Sequence, residues 1–296
     1  MRLGLITPVV NLNPRFEPPA WERRGGIRDV VAVARAAERL GYHWVSCPEH
    51  IAIPEEVAGT RGGRYWDPVT TLSFIAASIR RIGLLSHVLL LGYHHPLEVV
   101  KRYGTLDVAS GGRVVLGVGV GSLRPEFELL GASFADRGAR ADDAIRAIRA
   151  SFGRREPSYS GPYYHYGGIV VEPCGSRTVI PIWVGGRTRR SLRRALELGD
   201  GWIPFGLGHD DLRAMLTGSD VVDTLATREQ GFEIVLAPEP PLDPVTAPDA
   251  AAAVVNAYGA IGATGLALRF THRSRSHYIE QLEAMIDCVQ VAVYAG

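Results

Sequence analysis

The residues of this chain best suited to proton transfer are Glu49 and His50, which close the segment YHWVSCPEH at 42–50. A histidine can exchange a proton near neutral pH, so His50 is a candidate general acid or base. A lone histidine after a strand is more often an ordinary surface or loop residue. The choice between these interpretations depends on where the segment ends in the fold.

A glycine-rich segment, GVGVGS at 117–122, partly matches the dinucleotide-binding fingerprint G-x-G-x-x-G. Gly117 and Gly119 supply the first two glycines, but Ser122 replaces the third, and the motif lies in mid-chain instead of after a first strand. Glycines at a strand end let backbone N–H groups approach a ligand closely. The alternative is a tight strand-to-helix turn.

A second glycine-rich segment, VGGRTRRS at 184–191, has chemistry suited to a phosphate. Gly185 and Gly186 stand before an arginine-rich helix whose first turn offers orphan amides, a positive dipole end and guanidinium groups. The alternative is a glycine turn before a solvated helix face. That alternative fits Arg193 and Arg194 better than it fits the glycines.

Polar and aromatic side chains mark further candidate positions. The apolar stretch LLSHVLLL is interrupted by the polar residues Ser86 and His87. For His87, a site residue and a core histidine bonded to a carbonyl are equally good interpretations. Aromatic residues that could line a substrate pocket are more often core or rim residues than ligand contacts. These pocket candidates are Tyr65, Trp66, Tyr93, His94 and His95.

Composition indicates a globular protein with a small-molecule partner. Lys and Arg total 32 against 31 for Asp and Glu, so a formal charge of +1 gives no long-range attraction to nucleic acid or an anionic membrane. Cys47, Cys174 and Cys288 show no zinc-site spacing, so we expect reduced thiols and no metal. The chain has neither a recognisable signal peptide nor an apolar run long enough to span a membrane. We therefore expect a cytoplasmic protein.

Apolar strands alternate with amphipathic helices along the chain, which predicts a parallel α/β sheet. One helix is expected over 67–81, opening at Asp67 with Pro68 in its first position, and the stretch 154–178 is expected to be irregular. Eight strands can be counted, so the sequence fits a (β/α)8 TIM barrel in one domain over 1–296. In such a barrel, chemistry lies at the carboxyl ends of the strands. The eight segments are LGLIT, YHWVSCPEH, IGLLSHVLLL, RVVLGVG, PIWVGG, GWIPF, FEIVLAP and GLALRF.

Several motifs together resemble the luciferase-like monooxygenase superfamily, and in particular its branch of F420-dependent oxidoreductases. The densest match is HHPLEVVKRYGTLDVASGGRVVLGVGVGSLRPEFELLG at 94–131. The segments PIWVGGRTRRSLRRALELGDGW and GYHWVSCPEH are also similar to family signatures, whereas the match becomes sparse after Phe205. The resemblance implies a barrel of the bacterial luciferase type that binds FMN or the deazaflavin coenzyme F420.

The same resemblance assigns roles to residues. It implies that Glu49 and His50 lie near the reactive ring, and that Ser86 and His87 belong to a bulge with a non-prolyl cis peptide behind that ring. It places the cofactor's phosphate at the segment from strand five. The implied cofactor contacts are Ser86, His87, Gly119, Val120, Gly121, Ser122, Val184, Gly185, Gly186, Arg187 and Thr188.

One departure from the family affects the expected substrate. The related sugar-phosphate dehydrogenases have a catalytic acid where this chain has Ser122, so that activity is in doubt here. Glu126, four residues on, is assigned to the helix that follows strand four. The substrate pocket is expected to come from the loops 51–66 and 154–178.

Three functions follow from the resemblance. The first is hydride transfer between F420 and a small organic substrate, by reduction of a C=C or C=N bond or by oxidation of an alcohol. The second is an FMN-dependent monooxygenase, and the third is a catalytically silent flavin-binding partner subunit. Family members are frequently dimers, so we also expect a homodimer, with the helix over 97–108 as a possible contact.

Overall fold

The computed structural model describes residues 1–294, with side chains through residue 289. Eight parallel strands form a closed barrel in the spatial order β1-β10-β9-β8-β7-β4-β3-β2, so β1 and β10, from the two ends of the chain, pair with each other. A separate antiparallel pair, β5 and β6, lies outside the barrel. The strands are β1 Arg2–Leu5, β2 Trp44–Cys47, β3 Gly83–Leu90, β4 Val114–Gly119, β5 Tyr159–Ser160, β6 His165–Tyr166, β7 Ile182–Gly185, β8 Gly201–Ile203, β9 Glu233–Leu236 and β10 Gly265–Leu268.

Helices follow the barrel strands in the described chain. They are α1 Ala20–Arg24, α2 Ile27–Arg39, α3 Glu55–Arg61, α4 Pro68–Ala76, α5 Pro96–Ser110, α6 Arg124–Leu129, α7 Arg137–Ser151, α8 Arg189–Leu198, α9 His209–Leu216, α10 Ser219–Ala226, α11 Pro248–Ala260 and α12 Arg275–Tyr294. In the part of the chain that is described, none of these helices is long and apolar enough to cross a bilayer.

Successive strand residues face opposite sides of the barrel wall. Alternate residues from six strands pack together inside the barrel, and the residues between them join the larger core beneath the helices. The interior is close-packed: the Trp44 and Trp183 rings meet edge to face at 5.4 Å, and a Cβ on Gly4 would overlap the Trp44 indole. The interior set is Trp44, Leu85, Trp183, Ile203, Val235 and Ala267.

The predicted (β/α)8 architecture is confirmed, and the elements differ from expectation in detail. Asp67 does cap α4, accepting from the Thr70 amide at 2.7 Å, but the helix ends at Ala76 instead of continuing to residue 81. The Glu38 carboxylate takes the amides of Arg80 and Arg81, which holds that segment out of the helix. The stretch 154–178, expected to be irregular, contains the β5–β6 pair.

Candidate active site at the barrel mouth

Glu126 lies at the centre of a hydrogen-bond cluster at the carboxyl ends of β2 and β4. Its side chain is completely buried. One carboxylate oxygen accepts from the backbone amides of Ile51 and Ala52 at 2.7 and 3.1 Å, and the other accepts from the Tyr93 hydroxyl at 2.8 Å and bonds His50. Burial alone would raise the pKa of Glu126, but the hydrogen bonds from His50 and Tyr93 outweigh it and lower the pKa.

His50 pairs with Glu126 through one ring nitrogen only. The distance from Nδ1 of His50 to Oε2 of Glu126 is 2.6 Å, and Nε2 makes no hydrogen bond to any side chain or backbone group in the described residues. The Tyr65 ring meets the imidazole edge to face at 4.5 Å. An ionised Glu126 requires a proton on Nδ1, so in the neutral imidazole the lone pair lies on Nε2. Nε2 is the ring nitrogen available for proton transfer.

Glu49, expected near the reactive ring, bonds residues at and after the end of β3. Its two carboxylate oxygens accept from the Leu90 amide at 2.7 Å and from Nε2 of His94 at 2.8 Å, and the side chain is buried. Burial lowers the pKa of His94, but the bond and charge of Glu49 outweigh it and raise the pKa. Glu49 thus fixes the turn after β3, and the carboxylate partner of His50 is Glu126.

The strand β3 carries the bulge expected from the family. Its pairing with β4 shifts register between Ser86 and Leu89, and the peptide between His87 and Val88 is cis. The Val88 side chain projects between two glycines: a Cβ on Gly119 would come within 2.7 Å of one Val88 methyl, and a Cβ on Gly185 within 2.8 Å of the other. The glycines that end β4 and β7 therefore make room for the bulge.

Ser86 and Gly117 belong to the barrel wall. The Ser86 side chain is fully buried, and its hydroxyl donates to the Gly117 carbonyl at 3.0 Å. Part of His87 is accessible, and burial lowers its pKa to about 4. Ser86 has no accessible surface to offer a ligand, whereas His87 keeps some.

The turn after β4 faces the Glu126 cluster. Gly121 has a φ of 79°, and a Cβ there would come within 2.5 Å of the Phe127 ring, so this glycine satisfies both the turn and the packing of α6. Val120 packs on the core, and the Ser122 hydroxyl is 3.5 Å from an Arg61 guanidinium nitrogen. Cofactor contact by these residues stays a prediction.

The start of α8 has the form expected of a phosphate site. Gly186 has a φ of 123°, and Thr188 caps the helix through reciprocal bonds with Ser191 at 3.2 Å. Arg187 and the first turn are exposed, while Val184 is buried in the core. The expectation of a solvated face was wrong for Arg194.

Arg194 is buried because its guanidinium forms an ion pair with Asp142 on α7, where it also donates to the Gly138 carbonyl. Arg193 is exposed, as expected. The spacing of arginines along α8 could not separate the two, because the partner of Arg194 lies 52 residues earlier in the chain.

The aromatic candidates divide into two groups. Tyr65 and Tyr93 lie at the mouth, but both hydroxyls already donate a hydrogen bond within the protein. The Tyr93 hydroxyl donates to Glu126, and that of Tyr65 donates to the Arg61 carbonyl at 3.1 Å. Burial raises the pKa of both phenols. Trp66 packs on the core, and Nε2 of His94 bonds Glu49, so that nitrogen is not free to contact a ligand. Within the described residues, no cluster of three or more His, Cys, Asp or Glu is placed to hold a metal ion.

The sequence interpretation missed two polar residues. It assigned Glu126 to a helix, which is correct for α6, but did not foresee that its carboxylate turns into the site. It also passed over Arg269, which directly follows β10 and lines a cavity of about 230 Å³. The available signal was a charged residue immediately after an apolar strand, at the end of the barrel where sites form.

The sequence profile of the luciferase-like monooxygenase family matches residues 1–285, and this protein belongs to that family. An uncharacterised protein of Mycobacterium tuberculosis is 30% identical over 216 residues, which cover 69% of this chain and 74% of the relative. Another protein of that species, provisionally named a coenzyme F420-dependent oxidoreductase, is 30% identical over 151 residues, or 47% of this chain and 44% of the relative.

Solved structures share the fold at low identity. A monooxygenase from Streptomyces bottropensis has a TM-score of 0.79 at 21% identity, covering 98% of this chain and 99% of the other. An EDTA monooxygenase from Chelativorans sp. has a TM-score of 0.79 at 11% identity, covering 98% of this chain and 93% of the other. A riboflavin lyase solved with modified FMN and riboflavin has a TM-score of 0.76 at 13% identity, with coverage of 98% and 91%. The luciferase-like barrel is therefore confirmed.

Proposed function

We propose that this protein is an oxidoreductase that binds coenzyme F420 at the barrel mouth and transfers a hydride between that cofactor and a small organic substrate. The observation that carries the enzymatic proposal is the His50–Glu126 pair, with one imidazole nitrogen available at the mouth of a luciferase-like barrel. The preference for F420 rests on the mycobacterial relative that bears this name.

The residues at the mouth fit a flat, phosphorylated cofactor. Val88 lies between Gly119 and Gly185, and the absence of a Cβ at either glycine leaves room for its two methyl groups. The exposed first turn of α8 presents the amides of Arg189 and Arg190, which have no acceptor among the described residues, together with the Arg187 guanidinium. We expect the ring system against Val88 and the phosphate at α8.

When bound, F420 supplies two-electron hydride transfer. The protein supplies the accompanying proton step: Nε2 of His50 takes a proton from an alcohol substrate during oxidation, or returns one during reduction. Glu126 holds the opposite nitrogen protonated and stabilises the imidazolium that forms, because its carboxylate is ionised and 2.6 Å away. The direction of turnover depends on the substrate.

An FMN-dependent monooxygenase is the second candidate. It is favoured by the structures that share the fold, two of which are monooxygenases and one of which holds a modified FMN. In both candidates the ring system of the cofactor lies against Val88 and its phosphate lies at the start of α8. They differ in the cofactor bound, so a binding measurement separates them.

Titration of the purified protein with F420 and, separately, with FMN tests the proposal, with intrinsic tryptophan fluorescence as the readout. We expect saturable quenching by F420 and at least about tenfold weaker binding of FMN, a difference of about 1.4 kcal/mol. Tight FMN binding without a response to F420 would establish the second candidate instead. If a cofactor binds but no substrate class turns over, the silent-subunit hypothesis replaces both.

The homodimer and the cytoplasmic location stay predictions. On the helical layer of α4 and α5, the side chains of Phe74 and Val108 are 54% and 47% exposed, which leaves apolar surface for a contact. Light scattering at micromolar concentration tests the dimer, and a monomeric mass would refute it.

A further inference from the structure

Arg269 is an enclosed arginine without a hydrogen-bond acceptor for its guanidinium among the described residues. Ala267 faces the barrel interior, so Arg269, two residues on, faces the same way at the mouth. Protein surrounds most of the side chain, yet part of it stays accessible, as expected of a residue that lines a cavity. The Phe16 ring lies 4.3 Å from the guanidinium carbon.

The nearest buried carboxylate is already committed to other donors. Glu22 accepts from the Val9 amide at 3.1 Å through one oxygen and lies 3.3 Å from Nε2 of His272 through the other. The Nδ1 of His272 accepts from the Trp21 indole at 3.0 Å, so the ring proton is on Nε2, facing Glu22. Glu22 therefore attracts Arg269 by charge without occupying its N–H groups.

The other acidic groups near the cavity lie towards its rim. Glu239 forms an ion pair with Arg15 at 3.0 Å, and Glu17 is exposed. Burial lowers the pKa of Arg269 and the charge of Glu22 raises it, and a guanidinium stays protonated in either case. The cavity thus contains a largely enclosed cation that keeps part of its surface accessible, and its N–H donors, without an acceptor among the described residues, are open to a ligand.

Arg269 lies on the same side of the mouth as His50. The strands that precede them, β10 and β2, are the two neighbours of β1. Tyr65 is near both residues: its ring meets His50 at 4.5 Å, and its phenol is within electrostatic range of Arg269. The α8 phosphate site follows β7, which lies three strands from β10 in the barrel.

We propose that Arg269 binds a carboxylate of the substrate and thereby directs the reacting group towards His50. The planar guanidinium fork matches two carboxylate oxygens, and Phe16 holds it from the side. The substrate class inferred is an organic acid, and its reaction, though not its binding, rests on the proposed function above.

Calorimetric titration of the full chain with sodium benzoate and with benzamide tests this proposal. The two probes have the same shape and differ in charge. We expect saturable benzoate binding, with benzamide at least about tenfold weaker, and a similar loss of benzoate affinity in Arg269→Gln. Arg269→Lys, which keeps the charge and loses the fork, is expected to fall between them. Arg15→Gln, which removes a second charge near the Phe16 ring, is the matched control and stays within about threefold of the wild type.

Several outcomes would overturn the proposal. Absence of benzoate binding, equal affinity for benzamide, or equal weakening by Arg15→Gln would each refute a specific carboxylate site, and the comparison of the two probes needs no variant to fold. Tighter binding of inorganic phosphate, lost in Arg269→Gln, would assign the residue to a phosphate. An F420 or FMN affinity that falls in Arg269→Gln as much as the benzoate affinity would assign it to the cofactor. Because benzoate is titrated without cofactor, failure of the F420 proposal leaves this result standing.

Discussion

His50 and Glu126 are 76 residues apart in the sequence, and Nδ1 of one lies 2.6 Å from Oε2 of the other. The bond joins the end of β2 to the helix that follows β4, across the intervening end of β3. The same carboxylate also accepts hydrogen bonds from the amides of Ile51 and Ala52. One buried side chain therefore orients the His50 imidazole and fixes the backbone that follows His50. Such a group positions the proton carrier without reaching the substrate itself.

Replacement of His50 tests the proton step directly. We expect His50→Ala to lower kcat by about 10²- to 10⁴-fold, because general acid–base groups typically contribute that much. Cofactor affinity, measured by tryptophan fluorescence, should change by no more than about threefold, since the proposed phosphate site is at α8 and not at His50. His43→Gln, before the opposite end of the same strand, is the matched control and should leave kcat unchanged. Near-normal turnover in folded His50→Ala would remove the histidine from the mechanism.

Replacement of Glu126 tests its positioning role. In Glu126→Gln the side chain loses its negative charge, and its NH2 group cannot accept a hydrogen bond as the replaced oxygen does, so the imidazole is no longer fixed with its proton on Nδ1. We expect kcat to fall by about tenfold or more, KM to change less, and the acid limb of the kcat pH profile to move. A uniform loss of active protein, with kcat per folded site and the pH profile unchanged, would indicate a purely structural role.

The order of elements could be predicted from the sequence because hydrophobic periodicity and turn residues are local signals. Asp67, at the start of α4, is where the pattern places it. The partner of His50 could not be predicted, since the pairing of Glu126 depends on closure of the barrel. Glu49, adjacent in sequence, was expected beside His50 near the reactive ring, but its oxygens bond Leu90 and His94. The role of Arg269 could not be predicted for a similar reason: only the folded structure shows that its guanidinium has no hydrogen-bond acceptor among the described residues.

The depressed pKa of Glu126 predicts a contribution to acid stability. Its pKa in the folded chain is below the ordinary value of 4.5, so the stabilisation is fully present above that pH and is lost as the pH falls towards the folded value. We expect the difference in Tm between the wild type and Glu126→Gln to be largest near about pH 7 and to shrink below about pH 4.5. Thermal melts across this range measure it. A difference that does not change with pH would contradict an ionised, hydrogen-bonded carboxylate.

The contact of Gly119 and Gly185 with Val88 predicts a steric coupling. Neither glycine has a positive φ, so the cost of an added methyl is the collision with Val88 rather than backbone strain. We expect Gly185→Ala to lower the free energy of unfolding by about 1–3 kcal/mol, as overpacking does. The cost should be smaller by about 1 kcal/mol in a Val88→Ala background, as determined by a double-mutant cycle in urea. Strictly additive effects would show that the methyl meets something else.

Asp143 on α7 anchors the segment that contains β5 and β6 through hydrogen bonds. Its buried carboxylate accepts from the Tyr159 hydroxyl at 2.5 Å and from the amides of Tyr163 and Tyr164 at 2.9 and 3.1 Å. The Tyr164 ring in turn packs edge to face on His95, at 5.4 Å, at the start of α5. The segment is therefore attached beside the mouth mainly through polar bonds to one side chain.

Removal of that carboxylate should loosen this segment alone. We expect Asp143→Ala to cost about 1–3 kcal/mol, because three donors lose their acceptor, and to speed amide hydrogen exchange over 155–166 while the barrel strands stay protected. Asp136→Asn, at an exposed ion pair with Arg140, is the control and should change stability by no more than about 0.5 kcal/mol. If the segment lines the substrate pocket, KM should rise more than kcat falls. Faster exchange throughout the barrel would instead mean that Asp143 supports the whole fold, and unchanged exchange over 155–166 would mean that other contacts hold the segment.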